Sequence, residues 1–413
     1  MTIAHEVPAS VAIVGGGLAG FTAAQELRKL GFEGRLSIID AGEDAPYDRP
    51  PLSKDFLTGT ATVADLQLAN TDWYDTHSVD LLLGHAATAL SRRDRAVVLD
   101  DQTSVQADAI LLATGGSARR LPIDDGATDS IHVLRTMDDA VRLRAALVPG
   151  ARLLIIGAGL IGAETASAAQ KLGAQVTLVD PSAPPLVPVL GPEIAAYLHE
   201  HHARSGIRAI VGSVAEFVRD ARGALRSALL TSGEKVEFDL VLVGIGITPN
   251  LQLAESAGLE LENGVIVDES RRSSDSHIFA AGDISRVRAP GGSLSRRDEH
   301  WEAARIGGAA AARGILGLAA THEAAHWFWS DREGIHLEVA GSMTAPGTTV
   351  FRGSFGDDSF ALFRIDGGRL IGAASINDSM AVRAARRIID AQTPVDALAL
   401  GDPSVNLRQL AKR

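Results

Sequence analysis

Two short glycine-rich stretches carry the chemistry that this sequence is able to do. Gly15-Gly16-Gly17-Leu18-Ala19-Gly20 follows the apolar run Val11–Val14, and Gly157-Ala158-Gly159-Leu160-Ile161-Gly162 follows Arg152–Ile156. Each reads G-x-G-x-x-G between a strand pattern and a helix pattern. About twenty residues on, a second apolar run ends in an acid, Asp40 in one case and Asp180 in the other. The first glycine of each (Gly15, Gly157) suits a tight turn. The second (Gly17, Gly159) lets the main chain approach a pyrophosphate. The third (Gly20, Gly162) lets helix and strand pack closely. The unpaired N–H groups at the helix start face the phosphates, and the acid accepts hydrogen bonds from a ribose.

Two such sites imply two dinucleotides. Hydride transfer needs a donor and an acceptor, so the economical pairing is a bound flavin, FAD, with a diffusible nicotinamide. Asp180 suits a 2′-hydroxyl and repels a 2′-phosphate, and no Lys or Arg follows it before Arg204; NADH is therefore expected in preference to NADPH. There is no cysteine, which excludes disulfides, thiolate metal sites, iron–sulfur ligation within the chain and a redox-active thiol. Electrons must leave to another protein or to a small acceptor. A net charge of −12 argues against nucleic acid as a partner. No apolar run reaches the ~18 residues of a membrane span, and the first fingerprint lies too near Met1 for a cleavable signal; a cytoplasmic protein is expected.

The elements that must position these groups follow from pattern. The loop Ala41–Lys54 is expected to be held extended by Pro50-Pro51. It is either a stiff mount for Arg49 and Lys54 or a surface loop with solvated charges. Leu81–Leu83, Ala86–Leu90 and Ala96–Leu99 read as short strands, and Ile110–Thr114 as a central parallel strand. Ser117–Ser130 reads as a domain crossing, and Met137–Leu147 as a helix. Helices are expected at Gly20–Leu30 and Ala163–Leu172, which puts Glu164 in a first turn. There it either offsets the helix dipole or reaches the place where the cofactors meet. Leu240–Ile245 runs into Gly246, and Ile278–Ala281 into Gly282-Asp283. Ala303–Leu318 is a helix of small residues built for close packing. Trp327 and Trp329 of HWFWSD are either core or site. Strands and a helix, Ser379–Ala391, follow. His199-Glu200-His201-His202 lacks a third ligand and reads as a solvated helix end.

The fold class expected is α/β, with two Rossmann-like dinucleotide-binding domains plus a C-terminal α+β domain. Residues 1–117 with 244–325 form the FAD-binding domain, 118–243 the NAD-binding domain, and 326–413 the C-terminal domain.

Taken in order, GGGLAG, PYDRPPLSKDFL, LLATG, HVLRTMDDAVRLRAAL, GAGLIGAE, GIGITPN, SHIFAAGD and HWFWSD resemble the FAD-dependent ferredoxin reductases of bacterial oxygenase systems. The resemblance implies the glutathione-reductase-like arrangement. It implies that Ala19 offers backbone to the FAD pyrophosphate and Asp40 holds the ribose. It puts Arg49 near the phosphates, and Ala87 and Arg135 along the adenine and ribityl sides. Asp283 bonds the ribityl, Trp301 backs the pyrimidine end, and Gly246 belongs to the cofactor-binding set. Lys54, paired with Glu164, lies near flavin N5, and Trp329 stands where electrons leave. The sequence departs from the family after Asp180, where PSAPPLVPVLGP replaces an arginine-bearing stretch. The implied activity is transfer of hydride from NADH to FAD and of single electrons to a [2Fe–2S] ferredoxin that serves a Rieske oxygenase or cytochrome P450. Competing readings are a quinone reductase, disfavoured by the short polar tail Leu400–Arg413, an NADH oxidase, many of which need the cysteine that is missing here, and an apoptosis-inducing-factor-like flavoprotein. A monomer is favoured. Docking of an acidic ferredoxin needs a basic face, for which Arg296, Arg297, Arg305, Arg386 and Arg387 are the candidates.

Overall fold

The structure is a computed structural model that describes residues 7–124, 129–320 and 324–410. Its described residues fall into two compact units. One comprises Met1–Arg49, Val63–Ser117 and Ile247–Glu323, the other Pro50–Thr62, Ala118–Gly246 and Ala324–Arg413. The segment Pro50–Thr62, expected with the first dinucleotide-binding domain, clusters with the second unit. Residues 125–128 of the expected crossing Ser117–Ser130, and 411–413 of the tail, lie outside the described residues.

The first unit is built on five parallel strands in the order Ile278–Ala280, Ala109–Leu112, Ser10–Val14, Arg35–Asp40 and Val79–Leu83. The strand Ser10–Val14 is buried along its whole length, as a central parallel strand must be when both faces are covered. Ile13, Ile38 and Leu111 are fully buried, each worth ~1.5–3 kcal/mol of transfer free energy. The helix Trp301–Ile315 packs on the helix Leu18–Lys29. A Cβ at Gly308 would strike the Ala19 carbonyl, so this close approach needs the small residues that the sequence supplies.

The second unit repeats the plan. Its parallel order is Arg208–Val211, Gln175–Asp180, Arg152–Ile156, Leu240–Val243 and Ile131–His132. The helix Met137–Ala146 starts at a capping box, in which the Thr136 side chain accepts from Asp139 N and the Asp139 carboxylate from Thr136 N. The same unit holds an antiparallel sheet in the order Trp327–Arg332, Ile335–Gly341, Arg369–Ile376, Phe360–Asp366 and Thr348–Arg352. The helix Val187–Arg204 covers one face of it with Leu190, Ile194 and Leu198, and the helix Ser379–Ala391 the other with Ala384, Ala385 and Ile388.

Three local expectations are corrected. The fingerprint helices begin inside the motif, at Leu18 and Leu160, because Gly17 and Gly159 are extended and serve as the N-caps. Glu164 therefore sits beyond the first turn, where the helix dipole no longer acts on it. Pro50-Pro51 opens a 3-10 turn, Pro50–Ser53, because the fixed proline φ also suits the start of a helix. His202 is buried, not solvated. Its Nδ1 lies 3.1 Å from Glu333 Oε1, and the His201 ring faces the Glu333 carbonyl oxygen. Within the polar tail, Leu400 and Leu407 are buried in the cluster beneath Ser379–Ala391.

Candidate functional site: two nucleotide cradles and a lysine–carboxylate centre

The two glycine-rich turns have matching geometry. Gly15 (φ +115°) and Gly157 (φ +102°) occupy backbone conformations that side chains avoid, and a Cβ on either would strike a main-chain carbonyl, that of Ala113 or of Gly244. A Cβ on Gly20 or Gly162 would strike the carbonyl of Gly15 or Gly157, so the third glycine closes the turn onto the helix. The middle glycines differ. At Gly159 an added Cβ meets nothing, and at Gly17 only the Arg49 guanidinium, 3.9 Å away. Each turn thus leaves open space above its middle glycine, next to helix-start N–H groups that have no partner within the helix. That cradle fits a pyrophosphate.

The acids behave alike too. Asp40 Oδ2 accepts from Gly16 N and Oδ1 from Gly42 N at 2.8 Å; Asp180 Oδ2 accepts from Ala158 N at 2.9 Å and Oδ1 from Ser182 N at 2.8 Å. Each latches the glycine turn to the end of the next strand and keeps lone pairs for a ribose.

In the first unit, Gly282 (φ +75°) backs onto the Ala19 side chain, which brings the buried Asp283 beside the first cradle. Trp301 donates from Nε1 to Asp48 Oδ1 at 2.6 Å, next to Arg49. Ala87 begins the strand Ala87–Ser91 and packs on the cluster that includes Val14 and Ile39. In the second unit, Gly246 (φ +97°) follows the strand Leu240–Val243 with open space at its Cβ. Arg135 stands immediately before the Thr136 cap. Arg297, expected on a basic face, is bound instead within its own unit. It donates to the carbonyls of Asn263 and Asp283 and pairs with Glu299 at 2.8 Å. Arg296 and Arg305 are exposed, and on the helix Ser379–Ala391 the exposed pair is Arg383 and Arg387, with Arg386 half-buried.

Lys54, Glu164 and Trp329 come together in the second unit. Lys54 Nζ lies 2.8 Å from Asp331 Oδ2, 3.3 Å from Glu164 Oε1 and 5.4 Å from the centre of the Trp329 ring. Glu164 is 5% exposed and accepts from Ser53 Oγ (2.6 Å) and Ser330 Oγ (2.7 Å). Trp329 stacks on Trp327, ring centres 5.0 Å apart. Burial alone would raise the Asp331 carboxyl, but hydrogen bonds from His336 and Lys54 outweigh it and hold the group below the ordinary carboxylate range. Burial alone would lower His336, and the carboxylates of Asp331 and Glu338 outweigh it and raise the imidazole. A cavity of about 450 Å³ opens at this centre, lined in part by Lys54, Glu164, Asp331 and His336.

Asp331, His336, Glu338, Ser53 and Ser330 are site neighbours that pattern reading missed. The hairpin turn accounts for three of them. Glu333 and Gly334 have positive φ and make a two-residue turn, so Asp331 must pair with His336 and Trp329 with Glu338 across the hairpin.

Residues 9–308 match the family described as pyridine nucleotide-disulphide oxidoreductase, and residues 327–411 the family described as reductase C-terminal. The chain belongs to the pyridine nucleotide-disulphide oxidoreductases. This member carries no cysteine, so the disulphide of the family name has no counterpart in it. It is 36% identical over 403 residues to the ferredoxin–NAD(+) reductase subunit of a benzene 1,2-dioxygenase system from Pseudomonas putida, covering 97% of each chain. It is 37% identical over 399 residues to the corresponding component of an anthranilate 1,2-dioxygenase system from Burkholderia cepacia, covering 96% of this chain and 98% of the relative. Among solved structures it is similar to the covalent putidaredoxin reductase–putidaredoxin complex, with a TM-score of 0.92, 34% identity, and coverage of 97% of this chain and 98% of the other. Among the described residues no helix is long and apolar enough to cross a membrane.

Proposed function

We propose that this protein is an NADH-dependent ferredoxin reductase, working as a cytoplasmic monomer that feeds a [2Fe–2S] ferredoxin of a Rieske oxygenase or cytochrome P450 system. One observation carries the reading. A chain with two dinucleotide cradles sets a lysine–carboxylate centre beside Trp329 and has no thiol anywhere to take electrons. The dioxygenase-system relatives and the putidaredoxin complex support it.

In this reading residues 1–117 with 244–325 bind FAD, 118–243 bind NADH, and 326–413 face the ferredoxin. Gly15, Gly17, Ala19, Gly20, Asp40 and Arg49 hold the FAD phosphates and ribose. Ala87, Arg135, Asp283 and Trp301 line the rest of the flavin. Gly157, Gly159, Gly162, Asp180 and Gly246 hold NADH. FAD, when bound, supplies the chemistry of accepting hydride and releasing electrons singly. Lys54 places a fixed ammonium where negative charge develops, and Glu164 with Asp331 hold that ammonium in place, so little reorganisation is needed during the reaction. Asp180 selects NADH over NADPH, because a 2′-phosphate would meet its carboxylate.

The test is NADH-driven cytochrome c reduction with and without added [2Fe–2S] ferredoxins. Strong stimulation by at least one ferredoxin is expected. High activity without ferredoxin would indicate direct reduction of small acceptors, and negligible activity with every ferredoxin would indicate a signalling flavoprotein; either result removes the reading.

Trp329, Glu338, Ser375 and Ala361 stand in one cross-strand row, so Trp329 shares a sheet face with the helix Ser379–Ala391. Arg383 and Arg387 project from that helix one turn apart and suit an acidic ferredoxin. Reversing both to glutamate is expected to raise the KM for ferredoxin about tenfold at low salt and to flatten its dependence on ionic strength. A KM that does not move across a salt series would take the helix out of the docking surface.

A further inference from the structure

We infer that His336 is a positioning residue for both Lys54 and Trp329, closing a ring of side chains that holds only while its imidazole is protonated. The inference rests on the proposed roles of Lys54 and Trp329 and deepens them.

The protonation state follows from hydrogen-bond chemistry. His336 Nδ1 lies 2.6 Å from Asp331 Oδ1, and Nε2 lies 3.0 Å from Glu338 Oε1. With both carboxylates ionised, each only accepts, and a neutral imidazole donates from one nitrogen, so satisfying both contacts takes the imidazolium. The other oxygen of each carboxylate is engaged as well. Asp331 Oδ2 accepts from Lys54 Nζ at 2.8 Å, and Glu338 Oε2 from Trp327 Nε1 at 3.0 Å. Trp327 stacks on Trp329 at 26° between ring planes, and Lys54 Nζ lies over the Trp329 ring. The path from Lys54 through Asp331, His336, Glu338, Trp327 and Trp329 returns to Lys54.

The hairpin explains why the ring forms. Residues two apart on a strand share a face, and Asp331 pairs with His336 across the turn. His336 is further held through its backbone N–H, which donates to Asn377 Oδ1 at 2.8 Å.

The local charge balance favours the same state. Glu164, Asp331, Glu333 and Glu338 are four carboxylates beside two permanent cations, Lys54 and Arg332. The His202–Glu333 pair is buried on the far side of the turn, and Asp55 and Lys171 line the cavity that His336 faces. Removing the His336 proton leaves one carboxylate facing a nitrogen lone pair. That frees either Asp331, which orients the Lys54 ammonium, or Glu338, which orients the tryptophan pair. Because the surroundings raise the His336 pKa, the ring stays closed beyond the pH at which an ordinary histidine loses its proton, and opens as pH rises through the folded-state value.

Two measurements on the FAD-loaded protein test this. The first is imidazole 15N NMR on protein labelled at histidine, with the His336 signals assigned by their loss in His336→Gln. Both ring nitrogens are expected to be protonated at pH 7 and to titrate above the ordinary histidine range. Asp331→Asn and Glu338→Gln should each move that titration down. A neutral imidazole at pH 7 overturns the inference whatever the enzyme does. The second is the pH profile of flavin reduction by NADH. The wild type should show an alkaline fall at the pH of the NMR titration. His336→Gln should be about tenfold slower at pH 7 and lack that fall, and His336→Lys should recover part of the rate. A protonated His336 with no matching fall in rate would reduce the ring to a structural feature and overturn the positioning role. If the NMR result holds but no ferredoxin stimulates turnover, the proposed function fails while the ring geometry stands, so the two failures are distinguishable.

Discussion

Lys54→Met is expected to retain its flavin and to lose between about 10²- and 10³-fold in the rate of flavin reduction by NADH. That is the usual cost of removing one preorganised charge from a site of developing anion. The ammonium is 15% exposed and fixed by two carboxylates, so water substitutes for it poorly. Methionine fills a similar volume without charge. It leaves Glu164 without its lysine, yet Glu164 keeps the hydroxyls of Ser53 and Ser330, so the variant should fold. Some stability is lost nonetheless, because a buried carboxylate deprived of a cation is costly. Lys54→Met with Glu164→Gln separates the two effects. The double variant should recover stability in a thermal melt without recovering the reduction rate in a stopped-flow trace. An unchanged single-variant rate across the pH range would remove Lys54 from the chemistry.

Gly159→Val is the second large effect, and it isolates the second cradle. Gly159 is extended (φ −67°), a conformation that any residue adopts, and a Cβ there meets no protein atom within 4 Å. The fold should tolerate it, losing no more than about 1 kcal/mol for the poorer N-cap. The side chain instead fills the space above the turn that a pyrophosphate needs. The KM for NADH should rise roughly 100-fold, equivalent to ~2.7 kcal/mol of binding free energy. Flavin content should be normal, because Gly15 and Gly17 are untouched. Gly157→Ala should behave oppositely. Its positive φ and the collision with the Gly244 carbonyl together should destabilise the fold by ~2–4 kcal/mol before any ligand is considered. Steady-state kinetics beside thermal melts of the two variants checks the contrast. A normal KM in Gly159→Val would show that the second glycine turn binds no dinucleotide.

The parallel sheets, the duplicated fingerprint and the boundaries of several elements were legible in the residues alone. Arg152–Ile156 and Ser379–Ala391 have the bounds that their residue pattern implies. Helix starts were less legible at the fingerprints. Glycine weakens the helical pattern on paper, whereas in the fold an extended glycine is the cap, and the helix starts within the motif. His202 and Arg297 were misread for a related reason. A charged or polar residue looks solvated until a partner distant in sequence, here Glu333 or the carbonyl of Asp283, is folded against it.

By itself, then, the chain of residues determined that two glycine turns of dinucleotide-binding pattern exist, each followed by an acid at the end of the next strand, and that no sulfur is present to take electrons. These are properties of local backbone geometry and of composition, which act over a few residues. Only the tertiary structure decided the distances at which Lys54, Glu164 and Trp329 meet, and that Asp331, His336, Glu338 and Trp327 close a ring with Lys54 and Trp329. Those seven come from three segments separated by more than a hundred residues, and hydrogen bonding between such groups depends on distances that packing alone sets.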